Sequence, residues 1–496
     1  MKRNILKKGI GALLFSTVLF TFSCKNDDSS AAQIQRNKNV NQWIKDYMDV
    51  LYLWNTEMPT KTDLTLYPAD FFKSLLYTQE DRFSFIADDF AELMNLLNGV
   101  QKEAGYEYTL FQDSVKIQNV YGIVNYIKPK SPASSTDLKR GDVFYTVNGK
   151  QLTINNYQQL TEEIKAPHTL GISRNGATQL ITISLSVAEY EENPVFLDSI
   201  YTIGGKKIAY LIYNFFASDK GDYSYTYLKQ LNNIFGKFKQ AGVNELVLDL
   251  RFDGGGSADV AVALASLISD PERTSSKELF YTEQYNSIVD KELSKGGEDY
   301  NKAFFVDTLF IKDKDGKIVD RSILLNRLTG LSRLYVLTSQ GTASASELII
   351  NGLRPYMNVT LVGWQTYGKN VGMWFIYEDD PQKQKDNRWG MLPIVFKLYN
   401  SKNESNYTNG FAPDIKVNEY DVNQMLPLGD IHEALLGAAL SNIGVVKASS
   451  ALRSADTRLD SRPLASSFDR ATVRRNVIVP QKRALNALNR SSNNSY

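Results

Sequence analysis

The sequence predicts an α/β protein with a β-rich module and a small helical N-terminal segment, and three features predict it. From Tyr201 to about Ile443, short apolar runs alternate with amphipathic stretches, as strands and helices do when they follow one another. Between Ala104 and Val187 the texture changes to short strands, with the hairpin dipeptides Asn148-Gly149 and Asn175-Gly176 set between apolar runs. From Lys38 to about Val100, Trp43, Tyr47, Val50, Leu51 and Trp54 recur at helical spacing, and Pro59 follows as a stop. A chain of 496 residues has room for roughly two to four such units.

Taken in order, the chain opens with Lys2, Arg3, Lys7 and Lys8 ahead of an apolar stretch from Ile10 to Phe22. That stretch is too short for an ordinary membrane span and has the form of a secretory signal peptide, expected over 1–23. Cys24, the sole cysteine, follows at once, which excludes an intrachain disulfide and a cysteine-based zinc site. The segment Thr21-Phe-Ser-Cys24 resembles a bacterial lipobox, and the resemblance implies a lipidated Cys24 followed by a linker over 24–37. Its "KNDDSS" start is similar to the acidic tether of exported Bacteroidota lipoproteins. No later segment has eighteen uninterrupted apolar residues, so the rest is expected to be soluble. Helices are expected over 38–103, the β-rich module over 104–190 and the α/β core over 191–445. The stretch 446–496, rich in Ser, Asn and Arg, is expected to be a mostly disordered basic tail.

Composition narrows the functions. Lys and Arg number 56 against 55 Asp and Glu, so no bulk electrostatic attraction to nucleic acid is expected. The two histidines, His168 and His432, lie far apart in sequence, so a histidine-rich metal site is not expected either. Within Lys128–Leu152 the order "SPA…L.RGD.F..VNG" resembles a PDZ domain of about 80 residues. PDZ domains take up extended chain ends by adding them to a sheet edge, and here the carboxylate loop would fall near Gly105–Tyr108.

Chemistry concentrates in three segments. Gly341-Thr-Ala-Ser-Ala-Ser-Glu347 follows the apolar run Leu334–Thr338 and opens a helical stretch, so it lies at a strand-to-helix turn. Three hydroxyls, those of Thr342, Ser344 and Ser346, stand within five positions. A helix start offers N–H groups and a positive dipole end to a developing oxyanion, which suits a nucleophile. The same place suits a serine that only caps the helix, with Glu347 in the first turn.

A nucleophilic hydroxyl needs a proton acceptor, and neither histidine carries a partner motif. A lysine serves instead where burial disfavours its charged form. Lys369 stands shortly after a strand among Trp364, Tyr367, Gly368 and Trp374; read by itself it is an ordinary loop lysine. The stretch Gly363–Asn370, "GWQTYGKN", misses the P-loop pattern at its last position and runs into a β-like "MWFIYE". Nucleotide binding is therefore not expected. Third, Leu246–Ser257, "LVLDLRFDGGGS", carries a strand into three glycines, where backbone approaches a ligand unobstructed or the chain simply turns.

Together these segments resemble the tail-specific, or C-terminal processing, serine peptidases of family S41. The resemblance runs from about 104 to 440 and implies a ClpP/crotonase-like catalytic core joined to the PDZ-like domain. The "YLWN" stretch from Tyr52, ending at Pro59, resembles the N-terminal region of Bacteroidota members. The family's S/T-A-S-A-S-E motif puts the nucleophile at Ser344, and its GxxxxGK segment puts the base at Lys369, 25 positions on. Its LDLRxNxGG strand matches Leu248–Arg251 and Gly254–Gly256, which implies an oxyanion hole of the Ala345 N–H with that of Gly255 or Gly256. Many members carry glutamine four positions after the lysine, where this chain has Met373. The resemblance implies a cofactor-free serine endopeptidase of the cell envelope, anchored in the outer membrane by lipid and acting on proteins or peptides. A catalytically inactive relative that binds peptides or glycans is the alternative.

Overall fold

Six strands make the central sheet in the order Val195–Ile203, Lys206–Tyr213, Glu245–Asp249, Arg333–Thr338, Asn358–Gly363 and Ile415–Lys416. The first pair is antiparallel and every later pair parallel. A parallel sheet needs cover on both faces, and the period of two along each strand supplies an apolar side chain to each. On Lys206–Tyr213, Ile208, Tyr210 and Ile212 face the helix Ala434–Ile443. Ala209, Leu211 and Tyr213 join the opposite core, to which the helices Thr226–Ala241, Ala258–Ile268 and Ala345–Leu353 contribute. The computed structural model describes residues 26–313, 317–420, 425–447, 463–470 and 477–479. The stretch expected to be a signal peptide and Cys24 lie outside the described residues.

Three adjacent parallel strands end at one place. Past Asp249 comes the glycine loop, past Thr338 the turn to Ser344, and past Gly363 the loop to Lys369. The carboxyl edge of an open parallel sheet is where such folds hold their ligands, because the connections there splay apart. A second sheet, ordered Lys302–Phe304, Leu279–Tyr285, Ile394–Asn400, Val371–Trp374 and Val477–Val479, carries the strand that follows Lys369.

The β-rich domain is built as the hairpin dipeptides foretold. Asn148 and Gly149 both take positive φ between Val143–Val147 and Lys150–Gln151, and Asn175 and Gly176 do so between His168–Ser173 and Ile181–Leu185. The stretch expected to form a carboxylate loop is instead mostly strand, Tyr106–Gln112, with the Tyr106 and Tyr108 rings in the domain's core. Glu107 between them binds the buried Lys128 ammonium at 2.8 Å, with Glu103 and Glu192 as further partners.

Two regions differ from expectation. The first helix runs Asn26–Leu51, so most of the stretch read as a linker is helical. At the other end, parts of the stretch read as a disordered tail are paired. Ala465–Ser466 adds to Tyr106–Gln112 at the edge of the β-rich sheet, and Val477–Val479 adds to Val371–Trp374. Neither segment has an amphipathic period, because strand addition at an edge rests on backbone groups.

Candidate active site

The structure sorts the three hydroxyls of the turn. Thr342 Oγ1 donates to the Leu250 carbonyl at 2.8 Å and accepts the Ser339 N–H; Ser346 Oγ donates to the Asp253 carbonyl at 3.1 Å. Both staple the turn to the glycine loop. Ser344 Oγ, wholly buried, has no hydrogen-bond partner among the described residues. Its backbone sits at φ 58°, ψ −110°, a conformation that costs a non-glycine residue of order 1–3 kcal/mol and persists only where neighbours impose it.

Glu347 is one of those neighbours. Its carboxylate accepts the Ser344 N–H at 3.0 Å and the Lys369 N–H at 2.8 Å on one oxygen, and the Gly368 N–H at 2.7 Å and the Thr366 hydroxyl at 2.6 Å on the other. One buried carboxylate thus ties the serine turn to the lysine loop. Burial pushes this carboxyl above its usual range, and the four donors pull the other way. All four require acceptor oxygens, as an ionised carboxylate supplies. Sequence reading saw Glu347 as a favourable first-turn charge; its reach across to Gly368 and Lys369 needs the tertiary fold.

Lys369 is fully buried. Its Nζ lies 3.7 Å from Met373 Sδ and 5.1 Å from the centre of the Phe83 ring. Gln365 and Asn370, the two nearby amides, turn instead to Asn409 and Ser405. Phe83 comes from the N-terminal region and had no signal in the sequence. Asp81 places it by accepting the Phe83 and Ser84 N–H groups and the Tyr52 hydroxyl, and Arg82 donates to the Gly368 carbonyl at 3.1 Å. The Gly363–Asn370 loop leads into a strand, so it has no helix start at which to cradle phosphate.

The glycine loop closes the third side. A Cβ on Gly255 would lie 2.9 Å from Ser344 Cβ and 3.0 Å from the Ala345 nitrogen, so its absence lets the loop backbone rest against the turn. The Gly255 N–H donates to Asp253 Oδ1 at 2.7 Å. Behind the loop, Arg251 is fully buried against Asp249, Glu419 and Glu433, and Arg140 of the β-rich domain reaches the same two glutamates. His168 is engaged far away with the Tyr106 hydroxyl, and His432 is exposed.

The peptidase family S41 model matches residues 207–417, and the S41 N-terminal domain model matches residues 39–85. The chain belongs to peptidase family S41. A putative S41 protease from Bacteroides fragilis is 27% identical, with a TM-score of 0.64 over 81% of this chain and 97% of that one. A probable CtpA-like serine protease of Staphylococcus saprophyticus is 26% identical over 247 residues, and its Staphylococcus aureus counterpart 24% over 245. Each of these two matches takes in 49% of this chain; the chain spans 41% and 40% of those relatives' lengths. The matched core contains Ser344, Lys369, Glu347 and the glycine loop; the matched N-terminal domain contains Asp81 and Phe83.

Proposed function

We propose that this S41 chain is a serine endopeptidase acting on proteins or peptides, with Ser344 as nucleophile and Lys369 as its base. The observation that carries the reading is Ser344 itself. Among the described residues it is the one hydroxyl of its turn left without a hydrogen bond, held in strained backbone at a helix start and tied through Glu347 to the lysine loop. Ser344 Oγ attacks the peptide carbonyl and its proton passes to the Lys369 amine. The tetrahedral oxyanion is held by the Ala345 N–H and, since the Gly255 N–H is engaged by Asp253, by the Gly256 N–H. The protonated lysine then delivers the proton to the leaving amine, and water hydrolyses the acyl-enzyme. The first step requires the neutral amine, and the full burial of Lys369 works against the charged form.

Ser344 Oγ and Lys369 Nζ are not hydrogen-bonded to each other here, so the proton transfer requires the two to close up when substrate binds. We propose a cell-envelope location through lipidation at Cys24. Among the described residues no helix is long and apolar enough to cross a membrane.

The test is an acylating fluorophosphonate probe and a peptide substrate on the full mature chain. Wild type is expected to label and hydrolyse, with activity rising with pH as the amine deprotonates. Ser344→Ala loses both and Ser346→Ala keeps labelling; Lys369→Arg, whose guanidinium stays charged, hydrolyses nothing. A wild type that neither labels nor hydrolyses would favour an inactive peptide-binding relative.

A further inference from the structure

We propose that residues 463–468 and 477–479 of the chain's own tail occupy the path an extended peptide takes to the catalytic centre, so that the tail and substrate compete. Four observations meet here. Ala465 and Ser466 pair antiparallel with Leu110 and Thr109 at the open edge of the β-rich sheet. The Leu464 N–H donates to the Leu110 carbonyl and the Tyr108 N–H to Ser467 Oγ, both at 2.8 Å, while the buried Ser467 hydroxyl donates to Glu107. Next, Phe468 lies face to face with Phe252 at 5.4 Å, inclined by 13°, and Phe252 is the residue before Asp253 in the glycine loop. Further on, Val477–Val479 pairs in parallel with Gly372–Trp374, three residues past Lys369 at its start. Finally, a cleft of about 840 Å³ has Pro463–Ser466 and Phe468 as one wall and residues 338–341 and 364–367 as another. These last two segments lead to Ser344 and Lys369, neither of which has any exposure.

The two pairings use main-chain groups, which any extended peptide presents, so the edges that hold the tail suit a substrate equally well. Occupant and substrate cannot share one edge. Tethering raises the tail's effective concentration to the millimolar range, enough for weak backbone contacts to compete with free peptide. This inference rests on the peptidase reading only in taking the occupant's rival to be a substrate.

Peptide binding therefore tests it apart from catalysis. In the full chain carrying Ser344→Ala, the tail is loosened by Leu464→Pro with Ser467→Ala, and separately by Phe468→Ala. A fluorescent extended peptide is then titrated by anisotropy, and hydrogen exchange is followed at Tyr108–Leu110 and Gly372–Trp374. The loosened tail is expected to bind the peptide at least tenfold more tightly and to exchange faster at both edges, with Phe468→Ala giving a smaller gain. A synthetic peptide of residues 463–479 is expected to displace the probe. Unchanged affinity in both variants would overturn the inference even if wild type proves an active peptidase. Tighter binding together with no hydrolysis by the same tail-loosened variants carrying Ser344 would uphold it and sink the catalytic reading instead.

Discussion

Two buried polar clusters lie on either side of the glycine loop, and they are finished differently. Around Arg251, each charged group has an opposite partner: the guanidinium meets Asp249, Glu419 and Glu433, and Arg140 closes the set from the β-rich domain. Around Glu347, four donors converge on the carboxylate, yet the Ser344 hydroxyl beside it has no partner among the described residues. The first arrangement holds a loop still and docks one domain on another. The second spends backbone strain to present an atom. A buried group left unbonded costs of order 1–3 kcal/mol, so in a family of peptidases it is the place to look for chemistry.

Removing one member of each cluster should therefore move opposite properties. Arg251→Met leaves three buried carboxylates short of their cation, and a loss of about 3–5 kcal/mol in denaturant unfolding is expected. Ser344→Ala removes an unbonded hydroxyl, and stability within about 1 kcal/mol of wild type or above it is expected while hydrolysis falls to background. Comparable destabilisation by both would mean that Ser344 is structural and the contrast false.

Acid should distinguish the clusters next. Burial would raise the Glu433 carboxyl, but Arg251 and Arg140 bring it down to about 2. A depressed carboxyl contributes stability that is present above its ordinary value near 4.5 and is lost as pH falls through that window toward 2. The stability gap between wild type and Glu433→Gln is thus expected to be widest near neutrality and to shrink between pH 4.5 and 2. Asp249, whose carboxyl is pushed up by burial and by the Glu433 charge, is relieved of the second influence in Glu433→Gln, so its titration adds a smaller part to the difference. A gap independent of pH would show that Arg251 does not hold Glu433 ionised.

Glu347→Gln probes the tie between the serine turn and the lysine loop. An amide keeps one acceptor oxygen but turns its NH2 toward backbone donors, so two of four bonds are lost. A fall of roughly 10–100-fold in kcat is expected with KM changed little, because substrate-binding edges are untouched. The probe-labelling rate should fall in parallel. A KM effect alone would place Glu347 in substrate binding.

How much of this was legible in sequence follows from what each feature depends on. The alternation of strands and helices in the core, the two Asn-Gly hairpins and the strand-to-helix turn at Ser344 all rest on local periodicity and turn chemistry, and all are present. The choice among Thr342, Ser344 and Ser346 was not local: it depends on which hydroxyl reaches the Leu250 and Asp253 carbonyls, some 90 residues away in sequence. Phe83 over Lys369 and Arg140 beside Glu433 are likewise products of packing between distant segments. The tail strands lacked an amphipathic period because edge pairing asks for no alternating side-chain pattern.

Met373 gives the smallest and finest test. Its Sδ contacts Lys369 Nζ at 3.7 Å, so the position at which the family resemblance leads one to expect glutamine does face the amine, but with a soft thioether. Met373→Gln would offer a carbonyl oxygen able to accept from that amine and fix its direction toward Ser344. An acceptor also favours the ammonium form, so the rising limb of the pH–rate profile should move to higher pH. Above that limb, kcat is expected to rise several-fold, since an oriented base reaches the productive geometry more often. Stability should drop by about 1–2 kcal/mol, because the new amide NH2 enters a site where Met373 is wholly buried. Met373→Leu removes the sulfur without adding an acceptor and is the control. If glutamine and leucine shift kcat and the pH limb alike, the side chain at 373 only fills space, and the lysine takes its orientation from the loop that Glu347 holds.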